Sequence, residues 1–273
     1  MKVLNKTGFY LIALSFFVIF GFPFVLILLM SFKSMQEYMR GNLWGFPEDV
    51  FLGNFQRVFA ADFNIYFRNS ILVAVVTVTI VLIVASMAAY AFANLSFKLN
   101  KPLFILFLVG MMIPVHTPLV PIFQLTRTLG IMDPIPGLIG PYVSFGLPVA
   151  IFLLSSFFRE IPASIMESAR IDGASHYRIH WGIIMPLSTP AIATVAIHRF
   201  LLSWNEFIFA LTIIRSSENR TLPLGIRQFY DMESVNIPAI FTAILIGSLP
   251  VMLFYFFAQE RVISGLSAGA VKG

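Results

Sequence analysis

Histidines are the residues of this chain whose type and spacing come closest to a catalytic or metal-binding pattern. The chain has four histidines, and none of them belongs to an H-E-x-x-H sequence. They are His116, His176, His180 and His198. His176 and His180 are four residues apart, which would place two imidazoles on one helix face. No carboxylate lies in register with them. We therefore expect these histidines to lie at the surface or to face a partner, and we predict no metal site.

Phosphate and thiol chemistry also lack the residues they need. The sequence contains no G-x-x-x-x-G-K-[ST] run, so the chain cannot bind ATP by that route, and it contains no cysteine. Its long apolar stretches hold a single acid, Glu206, which excludes the aspartate-rich membrane site of a lipid-phosphate enzyme. We predict no catalytic residue and no bound cofactor, and hence that the chain is not an enzyme.

The composition explains why so few residues could do chemistry. Of 273 residues, 58% are apolar or aromatic and 11% are charged, against about 25% charged in an ordinary soluble domain. Such a chain cannot cover its surface with polar groups, so it is predicted to lie in a membrane. The net charge of +5 is spread between apolar stretches rather than gathered on one face, so a nucleic-acid partner is not expected.

Six apolar stretches are long enough to cross a bilayer, because about 20 helical residues span a hydrocarbon core of about 30 Å. Backbone groups without access to water must pair within the segment, so each stretch is predicted to be helical. The fold class is therefore an all-α bundle in one domain, residues 1–273. The predicted spans are approximately 7–32, 69–97, 102–126, 134–158, 181–212 and 234–259.

Orientation is only weakly encoded. Basic residues flank the two sides almost equally, but Lys2 and Lys6 precede the first span, which favours termini in the cytoplasm. The first span is longer than a signal-peptide core, so we expect it to be retained. Prolines crowd the third span and also enter the fourth, and we expect these helices to kink or break. No internal repeat is found.

The loop after the fourth span has the features of a short helix. Ser164 is predicted to cap its N-terminus, with Glu167 closing a capping box. Gly173 suits the left-handed residue that ends a helix, and Ser175 suits the cap of a second one. Glu167 and Arg170 would be available to another chain. Spacing alone leaves two alternatives, a docking element or an ordinary amphipathic loop helix.

The same loop resembles the EAA signature of permease subunits of ABC importers. The matching residues are Glu167-Ser168-Ala169, Asp172-Gly173-Ala174, Ile183 and Met185-Pro186-Leu187. Three positions depart from the pattern: Ser168 replaces the second alanine, Met185 replaces leucine, and His180 stands where an aromatic residue is usual. The histidine is the least conservative change.

Further segments are similar to the carbohydrate-uptake branch, in particular the second permease subunit of the maltose type. They are Ser31-Phe32-Lys33, Asn69-Ser70, Trp204-Asn205-Glu206-Phe207, Thr221-Leu222-Pro223-Leu224-Gly225, and the tail Gly265–Gly273. The resemblance implies a second permease subunit as partner, a dimer of ATPase subunits that binds ATP and Mg²⁺, and an extracytoplasmic solute-binding protein. It also implies a multi-pass protein of the cell membrane with both termini cytoplasmic.

The resemblance also implies roles for residues of the loop, whose helix would couple to the ATPase from the cytoplasmic side. Glu167 would be the charged contact, while Ala169 and Ala174 would allow close approach. Gly173 would provide the turn, and Pro186 would start the next membrane helix. Ser168 and Asp172 complete the coupling motif.

Polar residues within the spans are candidates for the translocation pathway, because charged groups in a membrane tend to face the protein interior or water. Arg199 and Glu206 are seven residues apart and would share one helix face, with Ser203 between them. The predicted pathway residues are Ser203, Asn205, Glu206 and His116. Packing of these residues against a partner permease is the alternative for this face. A self-contained secondary transporter or channel is the alternative function.

Overall fold

The computed structural model describes residues 6–230 and 235–270, with side chains described at 8–230 and 235–256. These residues form helices and no strand. The first eight helices are α1 (Lys6–Ser31), α2 (Met35–Met39), α3 (Gly53–Ala60), α4 (Phe63–Asn94), α5 (Asn100–Gly110), α6 (Leu119–Thr128), α7 (Pro136–Glu160) and α8 (Ala163–Ile171). They are followed by α9 (His176–Ile179), a π-helical segment (His180–Ile184), α10 (Met185–Leu187), α11 (Thr189–Trp204), α12 (Ile208–Ile213), a 3-10 turn (Ser217–Asn219), α13 (Leu222–Arg227) and α14 (Ile237–Ala270).

The all-α class is therefore confirmed, and the long apolar helices fit a membrane protein. In the part of the chain with described side chains, four helices are long and apolar enough to cross a bilayer: Gly8–Ser31, Phe63–Asn94, Pro136–Glu160 and Ile237–Phe256. A fifth is added if the pair His176–Leu187 and Thr189–Trp204, bent by 80°, counts as one span. The count of exactly six spans remains a prediction.

The stretch predicted as the third span is divided into two helices. Helix α5 ends at Gly110 and α6 begins at Leu119, with Pro114 and Pro118 in the connecting turns. Proline lacks the N–H that an α-helix needs and clashes with the preceding turn, which explains the break. In α7, by contrast, Pro141 and Pro148 lie inside one continuous helix. The third stretch is therefore broken, which confirms the expectation for that stretch.

The chain divides into two compact units, of which the first comprises residues 1–65 and 224–250. In this unit, α1 ends where other segments satisfy its backbone. The Asn54 amide donates to the carbonyls of Ser31, at 3.1 Å, and of Lys33, at 2.8 Å, and Thr242 also donates to Ser31. Lys33 is fully buried and its Nζ donates to the Asn42 carbonyl. The Ser31-Phe32-Lys33 segment therefore marks a helix end held in place by polar side chains.

The second unit comprises residues 66–223 and 251–273, and it contains a hydrophobic core. Alanines at positions 85, 89 and 150 are fully buried there, which lets α4 and α7 pack closely in the way that small residues allow in membrane bundles. Bulkier side chains fill the space between these helices, the π-helical segment and α11: Val81, Leu154, Phe158, Ile184 and Val195.

Two contacts in this unit fix the long connection after α12. Asn69, near the start of α4, donates to the carbonyls of Glu218, at 2.8 Å, and Arg220, at 3.0 Å, while the Ser70 hydroxyl accepts from the backbone N–H of Leu222. The Asp133 carboxylate accepts from the backbone N–H groups of Arg215, at 2.7 Å, and Ser216, at 2.8 Å. The Asn69-Ser70 pair therefore binds the backbone of a loop that is distant in sequence.

Asp133 adopts a positive φ of 82°, which non-glycine residues rarely do, so its hydrogen bonds compensate for an unfavourable backbone. We predict that Asp133→Ala lowers the free energy of unfolding by about 2 kcal/mol, because two N–H groups lose a charged acceptor. Asp133→Asn tolerates the same φ and keeps an acceptor, so it should cost about half as much. Thermal unfolding in mild detergent measures both, and equal stability of Asp133→Ala and the unmodified chain would contradict the prediction.

The contribution of Asp133 should also depend on pH. Burial raises the pKa of its carboxyl, but hydrogen bonds from the backbone of Ser216 and Arg215 and from the side chains of Ser216 and Asn219 outweigh burial, so the pKa lies below 3.8. A pKa lowered by folding gives stability that is complete above the unfolded value and is lost as the pH falls through the folded value. Melting curves should therefore show the advantage over Asp133→Asn at neutral pH and lose it in acid. An advantage independent of pH would contradict this.

Candidate functional site

The predicted docking helix is α8, and its N-terminus differs from the expectation. The helix begins at Ala163 after Pro162, whose ψ of 130° is extended, and no side chain caps it. Ser164 therefore lies within the first turn rather than at the cap, and the capping box with Glu167 is wrong. The physical reason is that proline restrains its own φ and suits the residue that leads into a helix, so the helix starts two residues earlier than expected.

The C-terminus of α8 has the predicted geometry. Gly173 adopts a φ of +78°. The N–H of Ala174 donates to the carbonyl of Ala169 at 2.9 Å, and the N–H of Gly173 donates to the carbonyl of Arg170 at 3.0 Å. This pair of hydrogen bonds is a Schellman motif, which satisfies the last carbonyls of a helix. Ser175 then accepts from the N–H of Arg178 and caps α9. Both expectations, the glycine turn and the second cap, are confirmed.

Helix α8 has one face in the core and one face open. Met166 and Ala169 are buried in the core of the second unit, and Ala174 packs partly buried against the same core. Ala169 was expected to allow close approach of a partner, but its small side chain instead brings α8 close to its own bundle. The exposed residues around it combine charge with apolar surface: Glu167, Ser168, Arg170, Asp172, Ile165, Ile171 and Tyr177.

The two spaced histidines join the α8–α9 region to α4. His176 Nδ1 lies 3.0 Å from the Tyr90 hydroxyl, and His180 Nε2 lies 3.3 Å from the Ser86 hydroxyl. His180 is 3% exposed, so the expectation of a surface histidine is wrong for this residue. Its ring packs against those of Tyr90, Phe158 and Trp181, at centroid distances of 5.3, 6.4 and 4.8 Å. It thus occupies an aromatic environment.

Pro186 does not start the long membrane helix. It lies in α10, and the chain bends by 80° before α11 begins at Thr189. Pro190 holds the early helical position that was assigned to Pro186. Between α9 and α10, the segment from His180 to Ile184 is π-helical, a form that often marks functional sites.

The candidate pathway residues are only partly brought together. Helix α11 ends at Trp204, so Arg199 and Glu206 do not share one continuous helix face as expected. Arg199, Ser203 and Glu206 nevertheless line one cavity of about 290 Å³. Asn205 is exposed, and its amide donates to the carbonyl of Leu201. His116 is also exposed and follows the cavity residue Val115 in sequence. Neither Asn205 nor His116 lines the cavity.

Sequence reasoning missed the partner that holds Glu206. The hydroxyl of Tyr142, from α7, donates to Glu206 Oε2 at 2.5 Å, and the N–H groups of Phe209 and Ala210 donate to the same carboxylate. Glu206 therefore satisfies the N-terminus of α12, where negative charge is favoured. Arg199 donates to the Tyr142 carbonyl at 3.1 Å. A tyrosine in the middle of an apolar stretch was the one signal available.

The described residues contain no group of three or more histidine, cysteine or acidic side chains close enough to hold a metal ion. His176 and His180, the pair at helical spacing, each contact a hydroxyl of α4 instead.

The chain matches a known protein family. A model described as "Binding-protein-dependent transport system inner membrane component" matches residues 82–267, which include α8 and the cavity residues Tyr142, Arg199 and Glu206. The chain belongs to this family. The carbohydrate-uptake ABC permeases are thus confirmed as its relatives, and ABC importer permease is its function.

Individual relatives cover nearly the whole permease. It is 43% identical over 251 residues to the putative ABC transporter permease protein ORF2 of Caldicellulosiruptor sp., covering 92% of this chain and 91% of that protein. It is 34% identical over 254 residues to the trehalose transport system permease protein SugB of Mycobacterium tuberculosis, covering 92% of each.

The fold of the permease also has a solved counterpart. It matches a chain from the crystal structure of a bacterial ABC transporter involved in the import of the acidic polysaccharide alginate, with a TM-score of 0.81 and 22% identity. The match covers 96% of the permease and 100% of that chain. The side chains of the tail Gly265–Gly273, which contributed to the resemblance, lie outside the described residues.

The Schellman turn gives a prediction about the permease itself. No atom lies within 4 Å of a Cβ placed on Gly173, so substitution there meets backbone strain and no steric clash. Gly173→Ala should cost about 1–2 kcal/mol of unfolding free energy, because an L-residue disfavours the left-handed region. Gly173→Asn should cost less. Thermal unfolding measures both, with Gly182→Ala, whose φ is not positive and whose Cβ position is also open, as control. Equal stability of Gly173→Ala and Gly182→Ala would contradict the role of the turn.

Proposed function

We propose that this permease forms half of the translocation pathway of a sugar or oligosaccharide importer and couples to its ATPase through the α8–Gly173–α9 segment. The single observation that carries the coupling role is the geometry of that segment: a helix anchored on the core by Met166 and Ala169, with Glu167 exposed on the open side. A rigid, charged helix of this kind suits a docking contact with a soluble subunit.

The sugar substrate is supported by relatives rather than by the site. The trehalose system permease of M. tuberculosis is named for a disaccharide, and the transporter of similar fold imports the polysaccharide alginate. Selection of one sugar would rest largely on the binding protein and the companion permease.

The proposed assembly contains three kinds of partner. A second, different permease subunit completes the pathway, a dimer of ATPase subunits binds ATP and Mg²⁺, and an extracytoplasmic binding protein delivers the solute. Both termini and the α8 segment would face the cytoplasm, and loops 33–68 and 215–233 would face the binding protein. Membrane lipid would surround the apolar exterior. Helix α1 is an example, since no residue in its most apolar part is buried.

The coupling segment would act as a mechanical joint. Movement of the ATPase dimer would shift α8, and the shift would pass to the bundle through contacts of α8 and of the helices that follow it. Those contacts are the core packing of Met166 in α8, and the hydrogen bonds to α4 of His176 in α9 and His180 in the π-helical segment. Because helices pack as rigid bodies, displacement at the surface would reach the pathway side of the bundle.

The assembly is tested by purification of the tagged permease in mild detergent and identification of the chains that co-purify. Recovery of an ATPase and a second permease, with uptake that requires ATP, is the expected result. Recovery of the permease alone, active in uptake without ATP, would contradict the proposal and favour a self-contained secondary transporter.

The coupling contact is tested by charge reversal. Glu167→Lys should leave membrane insertion intact but uncouple ATP hydrolysis from uptake, because the exposed carboxylate would meet the ATPase and a lysine would repel the partner's basic groups. Gly173→Pro should have the same effect by disrupting the turn. Uptake and hydrolysis are measured on reconstituted transporter, with expression checked by immunoblot.

A matched control is available seven residues away. Glu160 is also exposed, but it lies at the end of α7 rather than on α8, so Glu160→Lys should leave coupling nearly unchanged. Normal uptake by Glu167→Lys at normal expression would contradict the coupling role. Equal uncoupling by both variants would also contradict it, since the effect would then come from surface charge in general.

A further inference from the structure

The connection between α2 and α3 exposes apolar side chains and turns polar ones inward. Five large apolar residues of the segment 44–52 lie at the surface: Trp44, Phe46, Val50, Phe51 and Leu52. The two aromatic residues at its start, Trp44 and Phe46, are 66% and 84% exposed. Exposed apolar residues gathered in this way mark a contact with another protein or with a membrane.

Polar side chains hold the same segment from within. Glu37 is buried, and its Oε1 accepts from the Asn42 amide at 2.9 Å and from the backbone N–H of Glu48 at 3.1 Å. Oδ1 of Asn42 accepts from the N–H of Gly45 at 3.1 Å, and the Lys33 ammonium donates to the carbonyl of Asn42. Because these backbone groups are paired within the protein, the segment can leave water at a lower cost.

Trp44 joins this segment to the membrane helix α1. Its ring stacks on that of Phe22, with centroids 5.6 Å apart and planes inclined by 25°. In the middle of α1, five consecutive large apolar side chains, residues 16–20, are all exposed, so the helix is apolar on every side. A helix of this kind is typical of a bilayer span. The exposed segment is therefore continuous with the apolar surface of a membrane helix.

The position of the stack along α1 sets its depth. The 26 residues of α1 extend about 39 Å and the hydrocarbon core is about 30 Å thick, so a centred helix extends about 4–5 Å beyond the core at each end. Phe22 precedes Ser31, the last residue of α1, by about 13–14 Å along the axis, which places it about 9 Å inside the core boundary. Interfacial segments bury their apolar face to a similar depth, about 5–10 Å.

Charged residues border the apolar ones. Arg40 and Glu48 form an ion pair at 3.5 Å in which both side chains are exposed, and Asp49 is exposed as well. Rings and charges so close in sequence suit the boundary where acyl chains meet headgroups and water. Tryptophan is favoured at this boundary, because its ring is apolar and its N–H is polar.

We propose that residues 44–52 form a membrane-interface anchor, in which Trp44 and Phe46 insert among the headgroups and upper acyl chains of the leaflet at the C-terminal end of α1. The anchor fixes the height of this segment, and of the end of α1, relative to the bilayer. The inference needs only that α1 crosses the membrane, so it does not rest on the proposed function. Contact with the binding protein is left to the rest of loop 33–68.

Spin labelling measures the depth of the segment. The chain has no cysteine, so Phe46→Cys introduces its only thiol, and the exposure of Phe46 means that the label displaces no packed side chain. The labelled full-length permease, with the chains that co-purify, is placed in phosphatidylcholine vesicles, and the signal of the unmodified chain is subtracted. Relaxation by oxygen, which concentrates in lipid, and by a nickel chelate, which stays in water, should place the label about 5–10 Å inside the headgroup level.

The control is Gln56→Cys. Gln56 is also exposed and lies in the same unit, on α3, but its side chain is polar, so its label should be relaxed mainly by nickel. Nickel relaxation of the Phe46→Cys label as strong as that of Gln56→Cys would place the segment in water. Little relaxation by either agent, together with loss of label motion, would show that a protein partner covers the segment. Either result would overturn the inference.

Tryptophan fluorescence gives an independent measurement. Bromines on the acyl chains of phosphatidylcholine quench a nearby indole, so bromines close to the headgroup should quench Trp44 more strongly than bromines at the chain end. Because Trp181 and Trp204 also fluoresce, the signal of Trp44 is the difference between the unmodified permease and Trp44→Phe, which keeps a ring against Phe22. A difference signal that neither lipid quenches would contradict insertion of Trp44.

Discussion

Where a helix of a membrane protein ends or breaks within the bilayer, the backbone groups that it leaves unpaired must find partners inside the protein. In a soluble protein water would serve, but the bilayer core offers none, and an unpaired group there costs several kcal/mol. Several polar side chains of the described residues serve this purpose. Asn54 binds the end of α1, and Glu206 binds the start of α12.

The same constraint shapes the connection that follows α12. Asp133 binds the backbone of Arg215 and Ser216, and Asn69 binds the carbonyls of Glu218 and Arg220. These side chains lie far from their partners in sequence, so they also fix the loop relative to α4 and α7. Segments shared with the carbohydrate branch, such as Asn69-Ser70, are therefore explained by backbone contacts. They do not need to touch the solute to matter for the fold.

The α8–Gly173–α9 segment and the cavity differ in how their charged side chains are placed. At the C-terminus of α8 the backbone is satisfied by its own turn, and Glu167 and Arg170 are exposed. In the cavity wall, the carboxylate of Glu206 instead accepts hydrogen bonds from the protein itself, from Tyr142, Phe209 and Ala210. Burial of Met166 and Ala169 in the core anchors this exposed segment on the bundle.

Sequence by itself determined the features that follow from local chemistry or composition. The scarcity of charge indicated a membrane protein, and the Gly173 and Ser175 turn residues indicated where one helix ends and the next begins. Tertiary structure decided the rest, because it depends on which distant groups meet. The helix that contains Ser203 stops at Trp204, Ala169 faces its own core, His180 is buried, and Tyr142 holds Glu206. None of these can be inferred from spacing, since a hydrogen bond across 64 residues leaves no periodic signal in the sequence.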